Sequence, residues 1–166
     1  MSEQNKKGEA SGLAAETRVL RQFRIVFNSI KTHFRDVERD AGLGGAQLWA
    51  LSVIAQSPGI GVTELARALD IHQSTASNLV RTLGSRGLVA SAREGQDRRG
   101  VALRALPAAD ALLQRAPQPF AGVLPDALAS LDPATLARLE QDLSTLIARL
   151  AADEADAQVP LGQSLS

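Results

Sequence analysis

The fold is decided by residues 62–86, which read Val62-Thr-Glu-Leu-Ala-Arg-Ala-Leu69, Asp70-Ile-His72 and Gln73-Ser-Thr-Ala-Ser-Asn-Leu-Val-Arg-Thr-Leu-Gly-Ser-Arg86. Apolar residues of the first and third pieces recur at spacings of three and four, so each piece is predicted to form an amphipathic helix. The second helix is apolar on one face, whereas its opposite face carries short hydrogen-bonding side chains and an arginine. This pattern is typical of a helix-turn-helix whose second helix lies in the major groove of DNA.

The polar face of the second helix supplies the candidate DNA contacts. Gln and Asn side chains match the edge of adenine, and Arg matches guanine or phosphate. We expect Gln73, Ser77 and Asn78 near base edges and Ser74, Thr75 and Arg81 on the DNA backbone. The full predicted set on this helix and its preceding residue is His72, Gln73, Ser74, Thr75, Ser77, Asn78 and Arg81.

A β-hairpin is predicted directly after this helix. Residues 88–93 and 101–106 have strand character, and the loop between them is Glu94-Gly-Gln-Asp-Arg-Arg-Gly100. Its two glycines permit a tight reversal, with Arg98 and Arg99 at or near the tip. A hairpin in this place makes the motif a winged helix, and its guanidinium groups can reach phosphates or a minor groove. Arg98 is equally well explained as a solvated charge.

A long helix is predicted ahead of this region, from about Leu13 to Ala41. Its heptad-like seam indicates either a core helix of one domain or a helix that pairs with a second subunit. We favour a mixture, in which part of the seam contacts a second copy of the chain. A glycine-rich break at 42–45 then precedes a helix over 46–56, and residues 60–62 are candidates for a short strand. The seam comprises Leu20, Phe23, Phe27, Ile30, Phe34, Val37 and Ala41.

The residues after the hairpin are also predicted to be helical. Pro107 opens a helix over 108–115, prolines at 117 and 119 stop it, and Asp132-Pro133 caps a last helix. That helix carries an apolar stripe of Leu136, Leu139, Leu143, Leu146, Ile147 and Leu150. The predicted organisation is a disordered arm (1–12), an N-terminal dimerisation helix (13–45), a winged helix-turn-helix (46–106), C-terminal dimerisation helices (107–152) and a flexible tail (153–166).

Composition narrows the class of protein. The 166 residues carry zero net charge, but residues 47–106 hold seven arginines against four acidic residues, while residues 107–166 hold three against eight. A basic centre beside an acidic end suits a surface that faces a duplex. The chain has no cysteine and only two, widely separated histidines, so a thiol sensor or a metal site is not expected. No run of apolar residues is long enough to span a membrane, and no secretory signal is visible, so we expect a cytoplasmic protein.

Catalytic motifs are not visible in the sequence. It shows no glycine-rich phosphate loop, nucleophile motif or carboxylate–histidine constellation, so neither an enzyme nor a cofactor is expected. The alternative to DNA binding is a winged-helix module that binds protein, with its apolar helices recruiting the partner. The polar, arginine-bearing helix face and the two-arginine wing favour DNA.

The order of elements resembles the MarR family of bacterial transcription regulators over roughly residues 13–152. The likeness is carried by residues 62–66, 74–77, 83–89 and, above all, by Asp97-Arg-Arg-Gly-Val101, which is similar to the family's Asp-x-Arg wing signature. The resemblance implies a mainly α fold with a small β-hairpin wing, and a homodimer whose terminal helices interlock over a pseudo-palindromic operator. Arg99 is then the wing arginine, and Asp97 holds the wing in shape.

Two positions depart from the family pattern. His72 stands where a small hydroxyl residue is usual, and it caps a helix less well than serine. Pro107, rather than a threonine cap, begins the helix after the wing.

The resemblance also implies a dimer interface and an effector. The dimer residues are Leu20, Phe23, Phe27, Leu139, Leu143, Leu146 and Leu150. Regulators of this family commonly repress, and they respond to small aromatic or phenolic acids. In this chain Arg18, Arg21, Arg24 or His33 could meet the carboxylate, with Trp49 against the ring. For each arginine a solvated charge is the alternative, and for Trp49 it is ordinary packing.

Overall fold

The computed structural model of the chain describes residues 2–93, 101–150 and 157–161. Its elements confirm a mainly α fold with one small antiparallel hairpin. The helices and strands are α1 (Ser2–Ala41), α2 (Gly45–Gln56), α3 (Val62–Ala68), α4 (Gln73–Ser85), β1 (Val89–Arg93), β2 (Val101–Ala105), α5 (Pro107–Arg115), α6 (Val123–Ala129) and α7 (Pro133–Leu150).

The hydrophobic core lies where α2 packs against the helix-turn-helix, the hairpin and α5. Leu48, Leu51 and Ile54 of α2 are fully buried, as the spacing of three along this helix predicts. Leu65 of α3 and Leu83 of α4 are buried against the same cluster. Burial of these apolar faces leaves the opposite faces of α3 and α4 at the surface.

The turn between α3 and α4 is tight because of two neighbouring residues. Asp70 adopts a positive φ of 51°, a left-handed conformation that Asp tolerates better than most residues. Ile71 is buried, and its backbone N–H donates to the Ala66 carbonyl at 3.0 Å. His72 is the N-cap residue of α4 but makes no side-chain capping hydrogen bond, as expected for histidine in this place.

The hairpin has a regular register in which Val89 pairs with Ala105 and Arg93 with Val101. The described part of the sheet has two strands, so the short strand considered for residues 60–62 is not formed. Two backbone hydrogen bonds stand in its place. The Gly59 N–H donates to the Leu103 carbonyl at 2.8 Å, and the Leu103 N–H donates to the Ile60 carbonyl at 3.0 Å. These bonds hold β2 against the start of α3.

From residue 15 onward, the first helix has an exposed part followed by a packed part. Its backbone is helical from Ser2, which differs from the disordered arm predicted for residues 1–12; that stretch contains Glu, Gln, Lys and Ala, and no proline interrupts it. Toward the other end, Ile30 and Val37 are buried in the protein. Of the earlier seam residues, Leu20 and Phe27 are exposed and Phe23 is half-buried. From residue 15 to the end of α1, the exposed large apolar residues are Val19, Leu20, Ile25, Val26 and Phe27.

The C-terminal helices play different structural parts. Helix α5 begins with Pro107 in its first turn and packs on α1 and α2, with Ala109 buried, so this helix belongs to the core and not only to a dimerisation region. Helix α7 buries none of its residues.

Asp132 caps α7 as the sequence predicts. Its carboxylate accepts a hydrogen bond from the Thr135 backbone N–H at 3.0 Å. Hydrogen bonds from the Thr135 hydroxyl and backbone hold the pKa of Asp132 below its ordinary value.

Residues 157–161 lie within the predicted flexible tail, yet Pro160 and Leu161 border a cavity formed with α1, α2 and α6. Apolar side chains that can cover an apolar cavity explain this difference from the sequence-based expectation.

Candidate nucleic-acid interface

One exposed face of α4 collects most of the polar residues predicted to contact DNA. Helical periodicity puts them within one arc, opposite the buried residues Ala76, Leu79 and Leu83. Thr75 is half-buried at the flank of the helix and is separated from this face, whereas His72 is exposed just ahead of it. The residues that share the face are Gln73, Ser74, Ser77, Asn78 and Arg81, and we call them the α4 polar face.

Hydrogen bonds within α4 organise this face. The Ser77 hydroxyl donates to the Gln73 carbonyl at 2.8 Å, so the hydroxyl oxygen remains available as an acceptor. The Arg81 Nη2 donates to Asn78 Oδ1, also at 2.8 Å. Arg81 and Asn78 are therefore positioned together before any ligand arrives.

A groove of about 680 Å³ runs beside the α4 polar face. Gln73 and Ser77 line one side, and Val101 and Ala102 of β2 line the other. Helix α3 closes the groove with an exposed segment that includes Thr63 and Arg67. Sequence reasoning missed these α3 residues. The sequence did contain a signal for Arg67. The first helix of a helix-turn-helix crosses the DNA backbone, and Arg67 lies on the exposed face of this helix.

The wing loop lies between β1 and β2, and the start of β2 borders this groove. Asp97, Arg98 and Arg99 lie outside the described residues, between Arg93 at the end of β1 and Val101 at the start of β2. The described strands bring both ends of that loop to the side of the groove opposite α4.

The recognition helix is tied to the rest of the molecule at its far end. The Arg86 guanidinium donates to the Gly42 carbonyl, which follows the last turn of α1. Gly42 has a φ of 66°, and its N–H donates to the Glu38 carbonyl at 2.8 Å, so α1 ends in a left-handed cap at this contact. A cation at a helix C-terminus is also favoured by the helix dipole. Helix α4 thus contacts both α2, through the core, and the end of α1.

The residues predicted to bind an effector are not gathered in one place. Arg18, Arg21 and Arg24 are exposed along α1. The His33 Nε2–H donates to the Pro119 carbonyl at 3.0 Å, and the ring meets Phe34 edge to face. Trp49 is half-buried against the core and also lines the cavity near residues 160–161, so it is both a packing residue and a cavity wall.

Within residues 15–92, 101–150 and 157–161, whose side chains the structure describes, no cluster of three or more His, Asp or Glu side chains is arranged to hold a metal ion. No helix in that part of the chain combines the length and apolarity needed to cross a membrane.

Comparison with known proteins agrees with this geometry. Residues 41–100, which run from the end of α1 to the wing, match the model of the MarR family. Over these residues the winged helix is similar to the MarR family. No curated protein matches the chain by sequence.

Solved structures extend the likeness beyond the winged helix. A MepR-like protein complexed with pseudoligands matches with a TM-score of 0.57 and 18% identity, over 79% of this chain and 94% of that one. FabT of Streptococcus pneumoniae, in complex with DNA, matches with a TM-score of 0.52 and 15% identity, over 82% and 97%. BpsR of Bordetella bronchiseptica, whose DNA binding is regulated by 6-hydroxynicotinic acid, matches with a TM-score of 0.50 and 21% identity, over 78% and 98%. At these identities the likeness establishes a shared fold.

Proposed function

We propose that this MarR-family chain is a transcriptional repressor that binds a pseudo-palindromic operator as a homodimer and is released by a small molecule. The observation that carries the proposal is the α4 polar face, exposed beside a groove that β2 and α3 border. Such a face matches the donors and acceptors of base edges, and the groove is open to a DNA backbone. The similarity of the fold to FabT in complex with DNA supports the same assignment.

Homodimer formation is supported by two exposed apolar faces. On α1, Leu20, Phe23 and Phe27 continue the face that is buried further along the helix, and Val19 and Val26 extend it. On α7, an apolar stripe runs the length of the helix without burying any residue. Its members Leu146 and Leu150 are 38% and 66% exposed, and Leu139 and Leu143 are half-buried. Apolar faces of this extent are typical of surfaces that pair with another chain.

DNA binding is tested directly by fluorescence anisotropy with labelled duplexes from the promoter region of the protein's own gene, at two salt concentrations. A DNA-binding protein with several phosphate contacts should bind at low salt and lose affinity steeply as salt rises. A random duplex of equal length measures the sequence-independent part. Absence of binding at low salt would overturn the proposal and favour a winged helix that docks on protein.

Asn78 and Arg81 are expected to act on DNA as one unit. Because the guanidinium donates to the amide oxygen at 2.8 Å, removing either side chain leaves the other without its support. Asn78→Ala and Arg81→Ala should therefore be non-additive in the free energy of operator binding, with a coupling of roughly 0.5–3 kcal/mol. Anisotropy titrations of both single variants and the double variant measure it.

The matched control for this coupling pairs Arg81→Ala with Gln73→Ala. Gln73 lies on the same α4 polar face but two turns away and does not contact Arg81 in the hydrogen bonds that organise the face. The effects of this second pair should add. Coupling of equal size in both pairs would mean that all residues of the α4 polar face are coupled in DNA binding. The Asn78–Arg81 hydrogen bond would then have no special role.

Arg99 is expected to make a wing contact with DNA. Arg99→Ala should weaken binding to most sequences and reduce the slope of log affinity against log salt by about one, because one phosphate contact is lost. Arg138→Ala, a change at an exposed arginine of α7, is the control and should leave the slope unchanged. An unaltered affinity and slope in Arg99→Ala would take the wing out of the mechanism.

Release by a small molecule is the remaining part of the proposal. It is supported by the cavity that Trp49 lines, next to helices that contact the recognition helix. A ligand there can shift α2, which packs directly against α4. It acts as an effector only if it binds one arrangement of these helices more tightly than the other.

A further inference from the structure

The cavity between α1, α2 and α6 is almost wholly apolar. Its volume is about 160 Å³. Aromatic rings of Phe34, Trp49 and Phe120 form its walls together with Leu128, and the remaining lining residues are alanine, glycine, leucine and proline. Among the described lining residues, the indole N–H of Trp49 is the only polar group that a side chain supplies.

This lining selects against a charged ligand. A carboxylate inside the cavity would lose its hydration without gaining a cationic partner, which is strongly unfavourable. Arg18, Arg21 and Arg24 do not line the cavity. His33 is next to the wall through Phe34, but its Nε2–H is already donated to the Pro119 carbonyl. The chemistry therefore favours a neutral ligand over the aromatic acid that the family resemblance implies.

The size of the cavity limits the ligand to about one ring. Dry apolar cavities of roughly 150 Å³ bind benzene.

The chain's own C-terminal segment borders the cavity. Pro160 is half-buried, and both Pro160 and Leu161 line the cavity, whereas Val159 does not. Val159 and Leu161 are almost equally exposed, at 40% and 41%, so the difference between them is their contact with the cavity rather than their burial.

We propose that this cavity is a binding site for a neutral, single-ring apolar molecule and that residues 160–161 form its outer wall. The proposed function gives the ligand its role as effector, but binding itself does not depend on DNA. Phe34 belongs to α1 and Trp49 belongs to α2. A ligand that contacts both side chains would therefore affect both helices.

Trp49, the single tryptophan of the chain, reports on this site. The fluorescence of the full chain is titrated with toluene and, separately, with benzoate, which has a similar size but carries a charge at neutral pH. Toluene should change the Trp49 emission saturably, and benzoate should not do so at the same concentrations. Equal binding of both compounds, or no binding of toluene, would overturn the proposal.

The part played by the C-terminal segment is tested with Leu161→Ala and its control Val159→Ala. The Leu161→Ala substitution removes a side chain that lines the cavity and exposes more of the cavity to water. This variant should therefore bind toluene roughly threefold to tenfold more weakly. Val159→Ala should match the unmodified chain. Equal affinities in the two variants would exclude residues 160–161 as a wall of the site. Since no DNA is present, a failure here is distinct from a failure of operator binding.

Discussion

Replacing Phe27 by glutamate is expected to convert the protein into a folded monomer that has lost most of its operator affinity. Phe27 is 49% exposed and stacks on Phe23 with 6.3 Å between ring centroids, so it contributes to the exposed half of α1 rather than to the core. A carboxylate at this position would be buried without a partner in a dimer, which is strongly unfavourable. A monomer engages one half-site alone, so the affinity for a two-half-site operator should fall by about 10²-fold or more.

Ile25→Glu is the matched control for Phe27→Glu. Ile25 lies on the same helix and is 60% exposed, but it points away from the seam that contains Phe23 and Phe27. Sedimentation velocity gives the oligomeric state of both variants, anisotropy gives their operator affinity, and circular dichroism checks that α1 remains helical. A dimeric Phe27→Glu, or a monomer that binds as tightly as the unmodified protein, would contradict the dimer model. Loss of the dimer in both variants would mean that a negative charge anywhere on this part of α1 disrupts the dimer, and that the face containing Phe23 and Phe27 has no special role.

The winged helix could be predicted from the sequence because its signals are local. The bounds of α3 and α4 follow from apolar residues such as Leu65 and Leu83, which recur at helical spacing and need one buried side. The hairpin follows from strand-forming residues on both sides of a glycine-containing loop. The family model matches this same region, residues 41–100.

The candidate site was predictable only in part. The sequence identified the polar residues of α4. It did not show that Asn78 and Arg81 are hydrogen-bonded to each other, because the spacing of residues along a helix does not determine their side-chain rotamers. It also missed Arg67, whose relevance depends on the groove that α3 shares with β2. The first feature depends on side-chain conformations within α4, and the second on the packing of separate elements.

The cavity proposed as an effector site shows the clearest limit of prediction from the sequence. Arginines of α1 are natural candidates for a carboxylate when only helical spacing is known, yet they do not line the cavity that contains Trp49. The cavity is made by side chains that are distant in sequence, from Phe34 to Leu161. No periodicity links these residues, so their meeting could not be read from the chain.

Gly45→Ala is expected to destabilise the fold by about 1–3 kcal/mol, the usual cost of overpacking a core. Gly45 is buried at the start of α2, and a Cβ atom there would lie 2.1 Å from Cδ1 and 2.3 Å from Cε1 of Phe34. The Phe34 ring also lies near the Gly122 backbone, where an added Cβ atom would be 3.0 Å from its Cζ, so there is little room for the ring to move to that side. The ring is therefore held between two glycine backbones, and α1 packs on α2 and α6 through this contact. Urea denaturation followed by circular dichroism, at one fixed protein concentration, measures the loss.

Two further variants separate this clash from a general effect at the start of α2. Gly44→Ser adds a side chain one residue earlier, where a Cβ atom meets nothing within 4 Å and the extended N-cap conformation suits serine, so stability should stay equal or rise slightly. In a Phe34→Ala background the clash is absent, and Gly45→Ala should then cost nothing, because alanine favours a helix over glycine. The double-mutant cycle thus predicts strong coupling between residues 34 and 45. A Gly45→Ala loss that persists in full without the Phe34 ring would show that the backbone conformation at residue 45, and not the packing of Phe34, requires glycine.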